Sequence, residues 1–334
     1  MKSRRGTSSK KPRSTIPAPS EVAPSASFGW PIDVVYTWVD DSDPAWAHRR
    51  DKARAVGGDA PLHPTAASAS RFEDHSELKY SLRSLAQFAP WIRHIYLVTD
   101  QQVPTWLIDD PVGLTVVDHR ELLDAENLPT FNSHAIESAL HRIPGLSEHY
   151  LYFNDDVLLG KPTVPGDFFT EDGKPRVFPS AKGIDGDLPV LRAAQRNAEV
   201  LLDLTGTTVT HRYLHTPHPQ LVSNCQDLEA RIPQELAATR SHRFRDPTDI
   251  SFASSLALSY AVATGCGVKG KIDYTYIDIS EKGGFTGLLK MLAKGPRRVV
   301  CMNQVGKARA PMLWLLRLVL NRLWPTPSRF EIQR

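Results

Sequence analysis

Residues 32–46 read IDVVYTWVDDSDPAW and change character abruptly half-way along. Residues 32–39 are mostly β-branched, aromatic or otherwise apolar, which predicts a buried β-strand. Three carboxylates, Asp40, Asp41 and Asp43, then follow, together with a proline. Either these acids cap a tight turn, or the strand ends at a site for a metal or another ligand.

The segments beyond this strand show, in turn, the apolar patterns that are typical of α-helices and of β-strands. Apolar residues recur every three or four positions in 77–89, which predicts a helix. Residues 47–70 are small and polar, and they predict no regular element. Further strands are predicted at 94–99, 114–117 and 149–153, and further helices at 132–142, 250–263 and 312–324. This order predicts an α/β fold with a largely parallel sheet.

Three of the predicted strands lead directly into acidic residues at Asp40, Asp100 and Asp156. In open parallel sheets, ligands bind beyond the carboxyl ends of the strands. The sequence therefore predicts a functional site at this edge of the sheet.

The charge of the chain is unevenly distributed. The 334 residues carry a formal net charge of +3, but six positive charges fall in residues 1–13, where no acid occurs. Without those six charges the balance is −3, which argues against a general nucleic-acid-binding surface and predicts no nucleic-acid partner. Residues 1–28 are rich in Ser, Pro, Lys and Arg, and we expect them to be a disordered tail, either solvated or in contact with an anionic membrane.

The three cysteines, Cys225, Cys266 and Cys301, form no CxxC pair, which favours a reducing compartment over a disulfide framework. The basic start lacks the apolar core of a signal peptide, and no apolar run is long enough to span a bilayer. These features favour a cytoplasmic protein, with the inner face of the membrane as a further location. The predicted helix at 312–324 is strongly apolar and is either packed on the domain or interfacial.

Four short motifs carry groups suited to chemistry. Asn154-Asp155-Asp156 is either a turn or a site for Mg²⁺ or Mn²⁺. In the helix that follows PTFNS (129–133), His134, Glu137 and His141 share one face. This face is either simply polar or a zinc site, or Glu137 is a general base.

The other two motifs lie further along the chain. HRYLHTPHP (211–219) contains two prolines that preclude a regular helix, so its histidines are either exposed or supply a catalytic group. Arg243 and Arg245 in SHRFRD are either a surface cluster or phosphate ligands, since the guanidinium fork matches phosphate oxygens. Together, the four motifs offer the groups that transfer chemistry on a phosphorylated donor needs.

The same motifs resemble those of the Stealth family of hexose-1-phosphate transferases. IDVVYTWVDDSDP is similar to its first shared region, and RFEDHSELKYSLRSL through FNDDVLLGK to its second. HTPHP and RFRDPTDISF resemble the third region, and CMNQ with PTPSRFE the fourth. The resemblance covers residues 30–331. It implies transfer of a hexose 1-phosphate, such as N-acetylhexosamine 1-phosphate, from a UDP-sugar to a hydroxyl of a glycan in exopolysaccharide or capsule synthesis, with release of UMP.

The resemblance also implies an architecture and roles for individual residues. It implies a nucleotide-binding, Rossmann-like (glycosyltransferase-A-like) core at 30–160 and 245–310, a cap at 161–244 and a C-terminal helix at 311–325, all in one domain at 29–331. The implied catalytic residues are Glu137, Asp156, His218 (or His215) and Arg245, and the implied metal ligands are Asp155 and Asp156, with Mg²⁺ or Mn²⁺. The implied donor contacts are Trp38, Asp40, Asp43, Arg83, Asp100, Asn132 and His215.

One position departs from the family pattern, because many members have Asp where this chain has Gln304. If that Asp helps to hold the metal, a neutral glutamine is a weaker ligand. The alternatives that remain open are a glycosyltransferase that releases UDP, an inactive sugar-binding homologue and a zinc-dependent hydrolase. The partners expected are a UDP-sugar donor and a glycan acceptor, with peripheral membrane contact and homo-oligomerisation left open.

Overall fold

A computed structural model describes residues 28–56 and 71–333. The predicted disordered tail, apart from Phe28, therefore lies outside the described residues, as does its predicted membrane contact. In chain order the strands are β1 (Ile32–Thr37), β2 (Ile95–Thr99), β3 (Leu114–Asp118), β4 (His149–Asn154), β5 (Val157–Leu159), β6 (Arg176–Val177), β7 (Pro179–Gly183), β8 (His211–Tyr213), β9 (His218–Leu221), β10 (Val268–Lys269), β11 (Tyr274–Asp278) and β12 (Val299–Asn303). The α-helices are α1 (Pro44–Val56), α2 (Glu77–Phe88), α3 (Ser133–Glu137), α4 (Pro189–Thr205), α5 (Val222–Arg231), α6 (Pro233–Ser241), α7 (Ala257–Ala263), α8 (Lys282–Lys294) and α9 (Ala310–Leu323).

The central sheet has the strand order β3-β2-β1-β4-β9. Its first four strands are parallel, and β9 pairs antiparallel with β4. This arrangement confirms the predicted α/β class with a largely parallel sheet. Strand β1 lies in the middle and is buried along almost its whole length, which explains why its sequence is mostly apolar and does not alternate.

The elements around this sheet form layers. On one face, α2 and a second sheet of order β11-β12-β5 contribute to a core with Val34, Tyr36, Leu151 and Phe153. On the other face, α4 to α7 pack against Val35, Tyr150 and Tyr152. Helices α8 and α9 cover the outer side of the second sheet. Strand β9, which lies within the predicted cap, forms an edge strand of the central sheet.

Most predicted elements are present, but the structure differs from the specific predictions made for three segments, and α4, α5, α6 and α8 lie in parts of the chain for which no helix was predicted. The helix predicted at 132–142 is shorter, because α3 ends at Glu137 and a 3₁₀ turn follows at Leu140–Arg142. The helix predicted at 250–263 consists of a π-helical turn at Phe252–Leu256 and then α7. Helix α1 lies where no element was predicted. Asp43 begins it by accepting a hydrogen bond from Ala45 N, at 2.8 Å, and Pro44 occupies its first turn.

Helix α9 is a packed helix of 14 residues. Within the described ranges, no helix is long and apolar enough to cross a membrane.

Candidate active site

The candidate site lies at the carboxyl ends of β1 and β4, where β9 begins. Tyr152 is central to it: its hydroxyl donates to Asn154 Oδ1 at 2.9 Å and lies 3.1 Å from Thr37 Oγ1. In the strand pairing, Tyr152 is opposite His218, and the two ring centroids are 6.2 Å apart. The antiparallel strand β9 therefore brings the HTPHP motif beside the Asn-Asp-Asp motif.

His218 is buried and stays neutral at neutral pH. Burial, and then the neighbouring His215, lower its pKa to about 3. A neutral imidazole keeps a lone pair, so it has the chemistry of a base or a nucleophile and not that of a fixed cation. His215 itself is exposed, with its ring 5.4 Å from that of Tyr276. Desolvation lowers the pKa of His215, and the Asp156 carboxylate opposes this shift.

Arg245 is held by the N-terminal turn of α3. Its Nε and Nη2 atoms donate to Ser133 Oγ at 3.1 and 2.6 Å. Burial lowers the pKa of Arg245, and the carboxylate of Glu137 opposes this effect. Glu137 is in turn fixed by the π-helical turn, because its Oε2 accepts hydrogen bonds from Ser254 N and Oγ at 3.2 and 2.7 Å.

A fully buried carboxylate supports this part of the site. Asp249 accepts hydrogen bonds from His134 Nδ1 at 3.3 Å, His242 Nδ1 at 2.8 Å and Asn132 Nδ2 at 2.8 Å. Burial opposes its ionisation, but the bonds from the two histidines hold the pKa of Asp249 at about 2. Asn132 also caps α3 by accepting from His134 N. Asp249 thus ties the Arg245 loop to the helix that carries Glu137.

A group of carboxylates, which includes Asp155 and Asp156, lies at the end of β4. Burial, and then the nearby Asp156 and Asp74, raise the pKa of Asp155 well above its usual value. Burial likewise raises the pKa of Asp156. Asp156 Oδ2 accepts from Cys301 Sγ at 3.3 Å, whereas its Oδ1 is buried and has no hydrogen-bond partner among the described residues. Burial, and then Asp155 and Asp74, also raise the pKa of Glu77.

This group of carboxylates fits a divalent cation. Neither Asp155 nor Asp156 forms an ion pair with a described Lys or Arg, so no described guanidinium or ammonium group compensates their charge directly. No three His, Cys, Asp or Glu side chains of the described residues are arranged to hold a metal. A cation at the two aspartates would therefore rely on water and substrate oxygens for its other ligands, which is how Mg²⁺ is usually bound.

The structure assigns local structural contacts to the first acidic turn. Asp40 Oδ1 accepts from Ser42 N at 2.9 Å, and Asp43 caps α1. Asp100 is buried and forms an ion pair with Arg49 at 3.0 Å. Trp38 is buried. The cap interpretation of Asp43 is therefore confirmed, and contacts of these four residues with a donor stay predictions.

Two other predictions are not supported by the positions of the side chains. Arg83 lies away from the site, where its Nε and Nη2 atoms donate to the two oxygens of Glu331 at 2.7 and 2.6 Å. His141 points away from α3 and contacts Glu229 Oε2 at 2.5 Å. The shared face of His134, Glu137 and His141 is therefore lost where α3 ends, and the three side chains have separate partners.

Gln304 is part of a polar contact with the segment that precedes α2. Its Oε1 accepts from His75 Nε2 at 2.8 Å, and its Nε2 donates to Glu73 Oε2 at 2.8 Å. A neutral amide bridges a histidine and a carboxylate here, and it makes both bonds only because it offers a donor and an acceptor.

Several groups in the site were not predicted. Arg71 lies near Arg245 and Glu137: burial and the Arg245 guanidinium lower its pKa, and Glu137 opposes this effect. Asp249, Asp74 and Cys301 were also missed as parts of the site. The motif RFRDPTD contained a usable signal for Asp249, since it places a second acid three residues after Asp246.

Two cavities in the described structure lie elsewhere. One, of about 410 Å³, lies at the amino end of β2 and is lined by residues that include Arg83, Arg93 and Arg329. The other, of about 560 Å³, lies at the start of β4 and is lined by residues that include Trp30 and His149. Both are at the opposite ends of the strands from the candidate site.

Comparison with known proteins identifies the motifs. The family models for Stealth conserved regions 1, 2 and 3 match residues 31–55, 71–177 and 214–262, which together make up more than half of the chain. The chain belongs to the Stealth family. The matched regions contain Asp156, Glu137, His218 and Arg245, so the four residues implied by the resemblance all lie in Stealth regions.

The curated relatives are named as polysaccharide phosphotransferases. An exopolysaccharide phosphotransferase of Streptomyces coelicolor is 42% identical over 95% of this Stealth chain and 55% of its own length. An exopolysaccharide phosphotransferase of Mycobacterium tuberculosis is 36% identical over 92% of the chain and 60% of its own length. A capsular polysaccharide phosphotransferase of Haemophilus influenzae is 37% identical over 67% of the chain and 63% of its own length. The chain thus spans little more than half the length of these relatives.

Proposed function

We propose that this chain is a sugar-1-phosphate transferase of polysaccharide synthesis. It moves a hexose 1-phosphate, with N-acetylhexosamine 1-phosphate as the preferred group, from a UDP-sugar to a hydroxyl of a glycan. The acceptor oxygen forms a bond with the β-phosphorus, the bond from that phosphorus to the bridging oxygen breaks, and UMP leaves. The names of the relatives support phosphotransfer on a polysaccharide. The parallel sheet supports a nucleotide-binding core of the glycosyltransferase-A-like kind.

The observation that carries this proposal is the convergence of three separate chain segments on the one that carries Tyr152 and Asp156. The charges of Glu137 and Arg245 both act on the Tyr152 hydroxyl, and His218 pairs with Tyr152 across the strands. The charges of Asp156 and Arg245 both act on His215. The neutral His218, the guanidinium of Arg245 and the carboxylates of Glu137 and Asp156 thus lie around one region of the site. Phosphoryl transfer requires such a combination of groups.

Each of these groups has a distinct role in the proposal. Arg245 contacts the phosphate oxygens on which negative charge develops, and Ser133 fixes the direction of its guanidinium. Glu137 balances the charge of Arg245 and orients the site. Asp155 and Asp156 would hold Mg²⁺ or Mn²⁺, which when bound neutralises the diphosphate of the donor.

His218 either takes the proton of the acceptor hydroxyl or attacks the β-phosphorus itself. In the second case a phosphohistidine forms as UMP leaves, and the acceptor oxygen then displaces the histidine nitrogen. Burial keeps the ring unprotonated, which both routes need. A donor labelled at its β-phosphate separates them, because label bound to the protein in the absence of acceptor requires the covalent route.

The test is to identify the nucleotide released. The purified chain is incubated with a panel of UDP-sugars, Mg²⁺ and glycan acceptors, and the nucleotides are separated by chromatography. UMP formation that depends on the acceptor supports the proposal. UDP as the sole product would overturn it in favour of a glycosyltransferase. Donor binding without any turnover, measured by calorimetry, would instead identify a sugar-binding homologue.

A further inference from the structure

Helices α8 and α9 lie side by side on the outer face of the second sheet and expose apolar side chains outwards. Both helices bury one face against β11 and β12, through residues such as Leu288 and Leu315. Since they cover the same face of one sheet, their outward faces point to the same side of the molecule. The large apolar side chains exposed there are Phe285 (41%), Leu289 (44%), Trp314 (67%) and Leu318 (43%).

The chain around this apolar surface is strongly basic. Between residues 282 and 330 no Asp or Glu occurs, whereas ten cations do: Lys282, Lys290, Lys294, Arg297, Arg298, Lys307, Arg309, Arg317, Arg322 and Arg329. In the described structure only Arg297 and Arg298 of this set form ion pairs, with Asp273 and Asp167. The five cations on α8 and α9 themselves are exposed and available to an external anionic partner.

We infer that the outward faces of α8 and α9 form a docking surface for a lipid bilayer that contains anionic headgroups. The apolar side chains enter the boundary between headgroups and acyl chains, and the lysines and arginines contact lipid phosphates. At about 1.5 Å per residue each helix is only about 20 Å long, so it lies along the interface and does not span it.

The charge pattern favours a lipid surface over another copy of the chain. In a two-fold symmetric dimer the same patch would face itself, so the basic residues would meet with no acids to compensate them. A nucleic acid would match the charge but would leave the four large apolar side chains without a suitable environment. An anionic bilayer satisfies both the cations and the apolar groups.

The proposed membrane surface and the candidate site lie on different sides of β12. Along β12, Val300 and Met302 face α8 and α9, whereas Val299 and Cys301 belong to the core on the other face. The membrane surface and the Asp156 carboxylate thus lie on opposite sides of one strand. The inference does not depend on the proposed activity, since it requires only that the chain binds the bilayer.

The test uses the full chain and sedimentation with vesicles of phosphatidylcholine, with or without phosphatidylglycerol. We expect binding only to the anionic vesicles. K290E/R317E should weaken partitioning by at least about 25-fold, since loss of each cation near the surface costs about fivefold and the two new carboxylates are repelled by the headgroups. F285S/W314S should also abolish stable binding. The matched controls K269E and V103S change an exposed cation and an exposed apolar residue elsewhere, and they should bind as the parent does.

A second measurement separates insertion from attraction by charge alone. Anionic vesicles should shift the tryptophan emission to shorter wavelength, and W314F should bind the vesicles while losing most of that shift. Undiminished binding of K290E/R317E would overturn the inference, since another part of the chain would then carry the contact. Loss of self-association in F285S/W314S, without any vesicle binding by the parent, would overturn it in favour of a protein interface.

Discussion

His218 and Tyr152 occupy paired positions in β9 and β4, and their ring centroids lie 6.2 Å apart. This pairing buries the histidine, and burial is the main reason that its pKa falls from 6.5 to about 3. The unfolded chain therefore binds a proton at His218 between about pH 6.5 and pH 3, whereas the folded chain does not. The free energy of unfolding consequently decreases as the pH falls through this window.

The first prediction follows from this linkage. His218→Gln should remove one component of the acid sensitivity, of up to about 1.4 kcal/mol per pH unit within the window. Urea unfolding at intervals from pH 7 to pH 4 measures it, with His211→Gln, an exposed histidine, as the control. Parallel stability curves for His218→Gln and the parent would contradict a lowered pKa of His218 in the folded chain.

Asp156→Asn tests charge stabilisation in the proposed reaction. We expect UMP release to fall on the order of 10²-fold or more, as when one preorganised electrostatic contact is lost. Because burial raises the pKa of Asp156, the ionised form is disfavoured in the folded state, so the neutral variant should be at least as stable at pH 7. Asp109→Asn, at an exposed site, is the control. Parental turnover in Asp156→Asn would exclude a role in catalysis.

Asp249→Asn tests the support of the Arg245 loop. The Asp249 side chain raises the pKa of His242 by accepting its Nδ1 hydrogen bond, so a neutral amide should lower that pKa. A titration followed by nuclear magnetic resonance measures the change directly. We also expect a loss of stability of about 2 kcal/mol, because His134 and Asn132 lose a charged acceptor. An unchanged His242 titration would contradict the described contact.

The pair Arg83–Glu331 should act as a structural clamp. Both side chains are buried, and Arg83 also donates to Trp324 O at 3.1 Å, so the pair joins α2 to the C-terminal segment. Arg83→Met should lower the free energy of unfolding by about 3–5 kcal/mol, because Glu331 is left buried with less compensation. The double variant with Glu331→Leu should recover part of this loss. A purely additive double-mutant cycle, measured by urea unfolding, would argue against direct coupling.

The sequence predicts the four parallel strands of the central sheet because their signals are local, whereas β9 and the second sheet were not predicted. The apolar run of β1 and the helical spacing of α2 depend on each segment alone. Helix α1 was missed because only two of its residues, Trp46 and Ala53, are buried, so it has almost no apolar stripe. Its start was nevertheless visible as Asp43 followed by Pro44.

The site was less predictable because its contacts join distant segments. Resemblance to the family identified Asp156, Glu137, His218 and Arg245 as candidates. It did not reveal that Arg83 has a buried partner 248 positions away. Nor does the sequence show that Asp249 accepts hydrogen bonds from two separate segments of the chain, since this depends on how those segments pack.

The alternating burial of β12 determines where the chain tolerates insertions and deletions. Its alternate residues have different surroundings, with Cys301 against the Asp156 carboxylate and Met302 beneath two amphipathic helices. A shift of one residue in its pairing with β11 would exchange these two sets completely. Insertions and deletions should therefore prevent folding within β12 but be tolerated in the turn after it. In a deep mutational scan, they should be damaging at every position of this strand.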